Sequence, residues 1–550
     1  MVDIASSSNL RPRPNAAIFG TAALLIALLV VPAMLAPQEF LRDDSYFYPQ
    51  IAANIVAGNG STFHEITPTN GYHPLWMAGV VAAVFVADGN RTAALHLLVV
   101  LQTVLSIALA AAFLKLMRGM RFEHGIVGLA VLLIYLFGTG VFGSEAHLNA
   151  LLLVAGLAAL WRALDADRAS AWFATGLVFG LAILARLDNV FVVAALCGLG
   201  VFHNAAAGPA ALARRAAAGA LGGALVLLPY LAYNVIVYGH MTPISGVIKS
   251  TFPEFALDLN RLGAMGKLAV PFGVAALGIG AVLEREPRRR VIWLGLGAGV
   301  VLHAVYVTGF TDHYTFWPWY YVSGVVAAAL VAAWLPGWAA STLPLGPLRG
   351  HVRSLAYLAA FAVLAAGAGR AWLKAYAPFE LGPINVDIRV NDYHWPEEFA
   401  VWMKDNLPAG SRVFTLDWPG AFAWYSELSI LPMDGLVNDF AYNDELLAEG
   451  AEQYLCARGV GYYLGLHETA GSVERVTVTA PLSREVAGVL ALREEDLVME
   501  VRDVLRDPDR ALPFALWRLR CPHARGALPR VAAAPPRAAA APRGQRSWRS

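Results

Sequence analysis

Two adjacent carboxylates, Asp43 and Asp44, open the longest polar interruption in the first half of an otherwise apolar chain. A carboxylate that is ionised at neutral pH can accept a proton from a hydroxyl group, and it can also hold a divalent metal ion. The pair could equally cap a surface helix, because Asp is a common residue at helix N-termini. The loop that follows, up to residue 76, adds more side chains with the same potential for chemistry: His64, Glu65, Tyr72 and His73.

Four later segments carry further acids, bases and aromatic rings between long apolar runs. Arginine and lysine can stabilise a phosphate group that gains charge as it leaves. Aromatic rings can pack on the apolar faces of sugars. The residues in question are Glu145 and His147, then Arg186 and Asp188, then Lys249, and finally His313, Trp317 and Tyr320.

Each of these residues also has a purely structural interpretation. Glu145 and His147 could be exposed turn residues, and Arg186 could pair with Asp188 only to hold the fold together. Lys249 could anchor lipid headgroups. The aromatic residues of the last segment are also typical of the belt that membrane proteins place at the lipid interface.

The composition identifies the general class of protein. Of the 550 residues, 57% are hydrophobic and 15% are charged, whereas about 25% of a typical globular domain is charged. This deficit indicates a multi-pass membrane protein. The net charge of +1 does not indicate a partner, and no nucleic-acid partner is predicted. Three cysteines exclude a disulfide scaffold, and Cys456 and Cys521 either pair or remain free thiols.

Hydropathy and loop charge predict a transmembrane domain at 17–373 with eleven spans. Residues 1–16 are placed in the cytoplasm, and 37–92 form the first outer loop. The apolar run 74–87 is assigned to that loop as a juxtamembrane helix, because it is too short for a hydrocarbon core of about 30 Å. The predicted spans are 17–36, 93–116, 125–142, 148–164, 171–186, 190–203, 216–237, 264–283, 291–309, 318–336 and 353–373.

This order of spans puts the basic clusters inside and all five polar segments outside. The spans 171–186 and 190–203 are short, so we expect their junction at Arg186 to lie below the outer membrane surface. Beyond the last span, 374–522 are predicted to form a small α/β domain outside the membrane. Its expected elements are helices at 394–407 and 446–458 and strands at 412–416, 428–432 and 460–464. The tail at 523–550 is predicted to be disordered.

The first loop resembles that of a known superfamily. The run Asp-Asp-Ser-Tyr-Phe-Tyr-Pro-Gln-Ile-Ala-Ala-Asn from residue 43, followed by Pro-Thr-Asn-Gly-Tyr-His-Pro-Leu-Trp from residue 68, resembles the first outer loop of bacterial GT-C glycosyltransferases. That superfamily includes protein O-mannosyltransferases, the aminoarabinose transferase that acts on lipid A, and mycobacterial arabinofuranosyltransferases. Gly143-Ser-Glu145 resembles the Gly-Met-Glu turn of these enzymes, and the segments at Arg186 and 431–438 resemble other elements of theirs.

The resemblance implies an enzyme of the bacterial plasma membrane that takes a sugar from a polyprenyl-phosphate-linked donor. The acceptor would be an envelope glycan or lipid at the outer face, and the reaction would be an inverting single displacement. An acid of the first loop would be the base, with Asp44 favoured over Asp43, and Glu145 would be a second acidic group of the catalytic site that positions the acceptor or a metal. The remaining roles would be donor-phosphate binding by Arg186, Lys249 and His313, and substrate binding by His64, Tyr72, His73, His147, Asp188, Trp317 and Tyr320.

A cofactor remains open at this point. A divalent cation (Mg²⁺, Mn²⁺ or Ca²⁺) on Asp43 and Asp44 is possible, although the loop has no Asp-x-Asp triplet. Two other classes of function also compete with the enzyme. The first is a transporter of a lipid or polyol, which would need broken helices at membrane depth and often two related halves. The second is a membrane-anchored scaffold that binds the cell wall.

Overall fold

The computed structural model describes residues 16–312, 316–346, 351–376, 394–467, 473–505 and 512–521. The N-terminal two-thirds of the chain is helical, as the long apolar runs predict. In chain order its helices are α1 (Ala16–Leu35), α2 (Asp43–Val56), α3 (Pro74–Val86), α4 (Arg91–Gly119), α5 (Gly125–Gly138), α6 (Ala146–Ala166), α7 (Ala169–Ala185), α8 (Val190–Val201), α9 (Pro209–Tyr238), α10 (Ile244–Lys249), α11 (Gly263–Gly278), α12 (Pro287–Gly309), α13 (Val322–Thr342) and α14 (Val352–Tyr376).

Seven helices among the described residues are long and apolar enough to cross a membrane. Together with α1 and the three shorter apolar helices α5, α7 and α8, they correspond one to one to the eleven predicted spans. The remaining short apolar helix is α3, which the sequence assigns to the juxtamembrane position. The structure therefore confirms the predicted multi-pass helical fold.

Helices α7 and α8 are two short pieces joined by a sharp break. The backbone of Arg186 is extended (φ −158°, ψ 115°), and a single 3-10 turn at Leu187–Asn189 follows it. The side chain of Asn189 donates hydrogen bonds to the Ala182 carbonyl (2.7 Å) and to the Asn149 amide oxygen (2.7 Å). These bonds satisfy backbone and side-chain groups that the break leaves in the interior. Helix α7 has 17 residues and is therefore about 25 Å long, which is shorter than a hydrocarbon core of about 30 Å. With the start of α7 at one membrane surface, the break lies inside the core and does not reach the opposite surface.

The C-terminal region forms an α/β domain. Its helices are α15 (His394–Asn406), α16 (Pro419–Ser426), α17 (Ala441–Glu449) and α18 (Ala451–Ala457), and its strands are β1 (Arg412–Thr415), β2 (Ser429–Pro432), β3 (Val460–Leu466), β4 (Val473–Thr479), β5 (Val486–Arg493), β6 (Leu497–Glu500) and β7 (Phe514–Arg518). One sheet has the strand order β2-β1-β3-β7-β6. Strand β1 runs parallel to both of its neighbours, β2 and β3, whereas β7 runs antiparallel to both of its neighbours, β3 and β6. Strands β4 and β5 form a separate antiparallel hairpin.

Two details of this domain differ from the sequence-based expectation. The helix predicted at 446–458 is two helices, because Gly450 has a positive φ of 79° and ends α17 before α18 begins. Helix α16 and strands β4 to β7 were not predicted. Cys456 and Cys521 form a disulfide, which decides between the two alternatives that the sequence leaves open.

The first loop and the C-terminal domain are packed together directly. His64 and Thr69 both contact Asn438, through the His64 Nε2 (3.2 Å to Oδ1) and the Thr69 hydroxyl (3.0 Å to the carbonyl). At Gly71, an added Cβ would lie 2.0 Å from the carbonyl oxygen of Leu436. The two segments are separated by more than 350 residues in sequence, and they form one wall of the cavity described next.

Candidate active site

A cavity with about 590 Å³ of empty volume lies where the first loop, the helical bundle and the C-terminal domain meet. Its lining joins segments that the sequence singled out separately. Seven predicted site residues line it: Asp44, Tyr72, His73, Glu145, Arg186, Lys249 and Tyr320. The other lining residues are Ser45, Phe47, Tyr48, Gly71, Ser144, Ser245, Trp319 and Leu436.

The two adjacent aspartates at the start of α2 have different surroundings. The Asp43 carboxylate is buried and accepts hydrogen bonds from the backbone N–H groups of Ala421 (2.8 Å) and Gly420 (3.3 Å), in the first turn of α16. Asp44 is half-buried and lines the cavity, and no hydrogen bond or ion pair engages its carboxylate within the described part of the chain. Asp43 therefore holds two parts of the fold together, whereas both oxygens of Asp44 are available to a ligand.

Glu145 and Arg186 form a buried charge network at one side of the cavity. Arg186 donates to Glu145 through Nη1 and lies 2.9 Å from Asp188 through Nε. Tyr48 donates its hydroxyl to the second Glu145 oxygen (3.1 Å). The Arg186 guanidinium also lies 3.8 Å from the centre of the Tyr320 ring. Because the charge of Arg186 is matched by two carboxylates, this network is well suited to orient groups around the cavity.

Lys249 is a second cation of the cavity and has no ion-pair partner among the described residues. Within the described part of the chain its Nζ donates one hydrogen bond, to the Tyr320 hydroxyl (3.1 Å), and an ammonium group has three N–H donors. Burial lowers the pKa of Lys249, but Tyr320 and Asp44 outweigh burial and leave the pKa raised above its ordinary value. Lys249 therefore stays charged at neutral pH and can donate to an anionic ligand.

Burial and neighbouring charges also shift the pKa of Asp44. Burial raises the pKa of Asp44 above its ordinary value, while Lys249 lowers it and Asp417 raises it further. His73, which lies 3.9 Å from Glu145, has a pKa lowered by burial. At neutral pH the cavity thus combines a carboxylate that binds protons more readily than usual with a neutral imidazole and an ammonium group.

The remaining predicted site residues lie around the cavity or outside the described residues. His64 is buried, accepts the Ile66 N–H on Nδ1 and hydrogen-bonds to Asn438. His147 is buried beneath the cavity against Gln102, Phe137 and Phe142. Three further placements complete the set: Asp188 lies between Arg186 and His303, Trp317 packs under the Arg42 guanidinium, and His313 falls outside the described residues.

The described residues offer little to a metal ion at the predicted pair. Asp43 gives its oxygens to backbone N–H groups, which leaves Asp44 as a single free carboxylate. No group of three or more His, Cys, Asp or Glu side chains that could hold a metal occurs in the described part of the chain. A cation on Asp43 and Asp44 is therefore a poor fit to this donor set.

Sequence reasoning missed two contributors to the cavity that carried a usable signal. Tyr48 is four residues after Asp44, so both side chains lie on one face of α2. Ser45, also in α2, donates its hydroxyl to the Phe142 carbonyl (2.7 Å) and thereby fixes α2 next to the Glu145 turn. Leu436, in contrast, reaches the cavity only through the packing of the C-terminal domain.

Comparisons with known proteins add a likeness to solved structures. No protein-family model matches the chain, and no curated protein matches it. The chain resembles ArnT from Cupriavidus metallidurans bound to undecaprenyl phosphate, with 15% identity and a TM-score of 0.49 over 86% of this chain and 98% of that one. It also resembles the arabinofuranosyltransferase AftD from Mycobacteria, with 12% identity and a TM-score of 0.41 over 91% of this chain and 40% of that one.

Proposed function

We propose that this protein is a membrane glycosyltransferase of the GT-C type that uses a polyprenyl-phosphate-linked sugar as donor. One observation carries the proposal: within the described residues, the carboxylate of Asp44 has no hydrogen-bond or ion-pair partner, and it lines the same cavity as the ammonium group of Lys249. We place this cavity at the outer face of the bacterial plasma membrane, with an envelope glycan or lipid as acceptor.

The proposed reaction is a single displacement at the anomeric carbon. The acceptor hydroxyl oxygen attacks that carbon and forms the new glycosidic bond, while the bond from the carbon to the phosphate oxygen breaks. The hydroxyl proton passes to the Asp44 carboxylate, and polyprenyl phosphate leaves with the electron pair of the broken bond. Lys249 stabilises the charge that develops on the leaving phosphate, and the Glu145–Arg186 network orients the side chains around it.

The surface next to Lys249 supports a lipid-linked donor. Beyond α10 the chain presents three exposed apolar side chains, Phe252, Phe255 and Leu257. Exposed apolar surface of this kind is expected where a protein meets lipid or an apolar ligand. A polyprenyl chain could lie along these residues while its phosphate reaches Lys249.

A lipid or polyol transporter is the second candidate, and the α7–α8 break favours it. Broken helices with charged residues at membrane depth are typical of transporter binding sites. Here, however, the charges at the break are paired with one another, since Arg186 contacts both Glu145 and Asp188. Asp44, in contrast, has no ion-pair partner among the described residues and is therefore available to accept a proton in a transfer reaction.

The proposal is tested by presenting purified protein with a panel of radiolabelled polyprenyl-phosphate sugars. We expect one donor to bind and to release free polyprenyl phosphate when acceptor-containing envelope extract is added. If no donor binds or turns over, the transferase proposal fails. Uptake of labelled lipid or polyol into proteoliposomes would then support the transporter.

Removing the charge of Lys249 is expected to slow transfer strongly. In Lys249→Met the phosphate loses its direct cationic donor, and loss of one such donor typically lowers kcat by about 10²-fold or more. In Lys249→Arg, which keeps the charge, we expect a smaller loss. Steady-state rates of polyprenyl-phosphate release measure both. Equal and small losses in the two variants would show that Lys249 does not contact the phosphate.

The pH dependence of the rate should report the state of Asp44. The base must be ionised, so activity is lost as the pH falls through its pKa, which burial raises above the ordinary value. We therefore expect the acid limb of kcat/KM at higher pH than about 3.9, the value for a free aspartate. Lys249→Met should move the limb further up, because it removes the charge that lowers this pKa. A limb that is unchanged in Lys249→Met would contradict this assignment of the base.

A further inference from the structure

A second cavity, with about 1100 Å³ of empty volume, lies at the opposite end of the helical bundle. We call it the distal cavity. It is bounded by the end of α13, the starts of α12 and α14, and the turn between α4 and α5. Helix α13 begins beside the first cavity and has 21 residues, so it separates the two cavities by about 30 Å, the thickness of a bilayer core. The distal cavity therefore lies at the level of lipid headgroups on the other membrane face.

The distal cavity is lined by more positive than negative charge. Arg121, Arg289 and Arg353 line it, against one acid, Glu123. Arg289 is partly engaged, since its Nε lies 3.3 Å from a Glu284 oxygen. Arg121 and Arg353 are exposed and form no ion pair with any described residue. Two guanidinium groups are thus free to bind a phosphate, which arginine recognises through paired N–H donors.

The other walls of the distal cavity are aromatic and apolar. Trp334 and Trp338 stack on each other with their ring centroids 5.3 Å apart, and both line the cavity. Indole rings favour the headgroup region of a bilayer, where one side is apolar and the other polar. His124 also lines the cavity, is 96% buried, and has no hydrogen-bond partner on Nδ1 among the described residues. Its position allows it to contact a polar headgroup that enters the cavity.

We infer that the distal cavity binds the headgroup of an anionic phospholipid from the adjacent leaflet. Arg121 and Arg353 hold the phosphate, and the acyl chains descend beside Trp334 and Trp338. Basic pockets between membrane helices are a recurrent form of lipid-headgroup site. This inference does not depend on the proposed transferase activity, because the two cavities share no lining residue.

The test uses full-length, delipidated protein in detergent, titrated with phosphatidylglycerol or phosphatidylcholine and followed by native mass spectrometry. We expect one phosphatidylglycerol to bind at least tenfold more tightly than phosphatidylcholine. The double variant Arg121→Gln/Arg353→Gln should weaken phosphatidylglycerol binding by about tenfold for each arginine lost. Glutamine is suitable at position 121, where φ is 60°, because it adds no strain that arginine does not already have.

A matched control separates the cavity from general attraction between surface charge and lipid. Arg214→Gln/Arg285→Gln removes two charges at the same end of the bundle that do not line the cavity. Equal weakening by both double variants, or equal binding of the two lipids, would overturn the inference. Displacement of phosphatidylglycerol by inorganic phosphate would also overturn it, in favour of a site for free phosphate. Polyprenyl-phosphate release, measured on the same preparations, shows independently whether the transferase proposal holds.

Discussion

Replacing Asp44 by asparagine is expected to lower the rate of sugar transfer by about 10³-fold, within the range typical of a lost general base. Asparagine has the shape of aspartate but cannot accept the acceptor proton. Since no hydrogen bond or ion pair engages Asp44 within the described residues, the substitution removes no contact of the fold. Donor binding and the thermal unfolding midpoint should therefore stay close to those of the wild type. Polyprenyl-phosphate release, donor binding and thermal unfolding together measure this.

Two matched variants sharpen this expectation. Asp88→Asn removes an exposed carboxylate at the end of the first outer loop and should leave transfer unchanged. Asp88 has a positive φ of 49°, a conformation that asparagine tolerates. Asp43→Asn should lower stability, because it weakens the link to the N–H groups of Gly420 and Ala421. If Asp43→Asn abolished transfer in a stable protein while Asp44→Asn remained active, the base would be Asp43.

Arg186→Met is expected to destabilise the protein more than any other substitution discussed here. It leaves the buried Glu145 carboxylate without its cation and removes the closest partner of Asp188. Breaking one side of a buried ion pair typically costs about 3–5 kcal/mol. We expect a clear fall in the unfolding midpoint, measured in detergent, and a loss of donor binding where the protein remains folded.

An additional carboxylate substitution tests the origin of this effect. The double variant Arg186→Met/Glu145→Gln removes one of the uncompensated charges, so its midpoint should lie above the value expected from adding the two single effects. Arg118→Met, an exposed arginine at the end of α4, serves as the control for a general loss of charge. Additive effects of the two substitutions would show that Glu145 and Arg186 do not act as a pair.

The helical bundle could be predicted from sequence because its signal is local. Each long apolar run is bounded by polar residues. Helix α3 is about as short as α5 and α8, and loop charge sets it apart, because an additional span there would place Arg118 and Arg121 outside. The C-terminal domain was harder. The alternation of valine with polar residues in β4 is a local strand signal. The short helix α16, in contrast, begins at Pro419 after Trp418, whose positive φ of 61° reflects tertiary packing that no local pattern indicates.

The distinction between residues that line the cavity and residues that support the fold was not available from sequence. Asp43 and Asp44 look equivalent in the chain, and their difference arises from α16, which lies 377 positions after Asp43. The supporting role of His64 is likewise not visible in the sequence, because its hydrogen-bond partner Asn438 belongs to the same distant domain. The predicted topology places Glu145 and Arg186 on the same membrane face and so groups them. Only the structure shows that the two side chains are in direct contact.

The contact between the first loop and the C-terminal domain also has a consequence for the order of synthesis. Asp44 leaves the ribosome well before the groups that fix its helix, because those groups, near residues 420 and 438, come almost 400 residues later. At about 5–20 residues per second, the cavity lacks one wall for some tens of seconds. The cavity of a nascent chain is therefore incomplete until the C-terminal domain docks on the first loop.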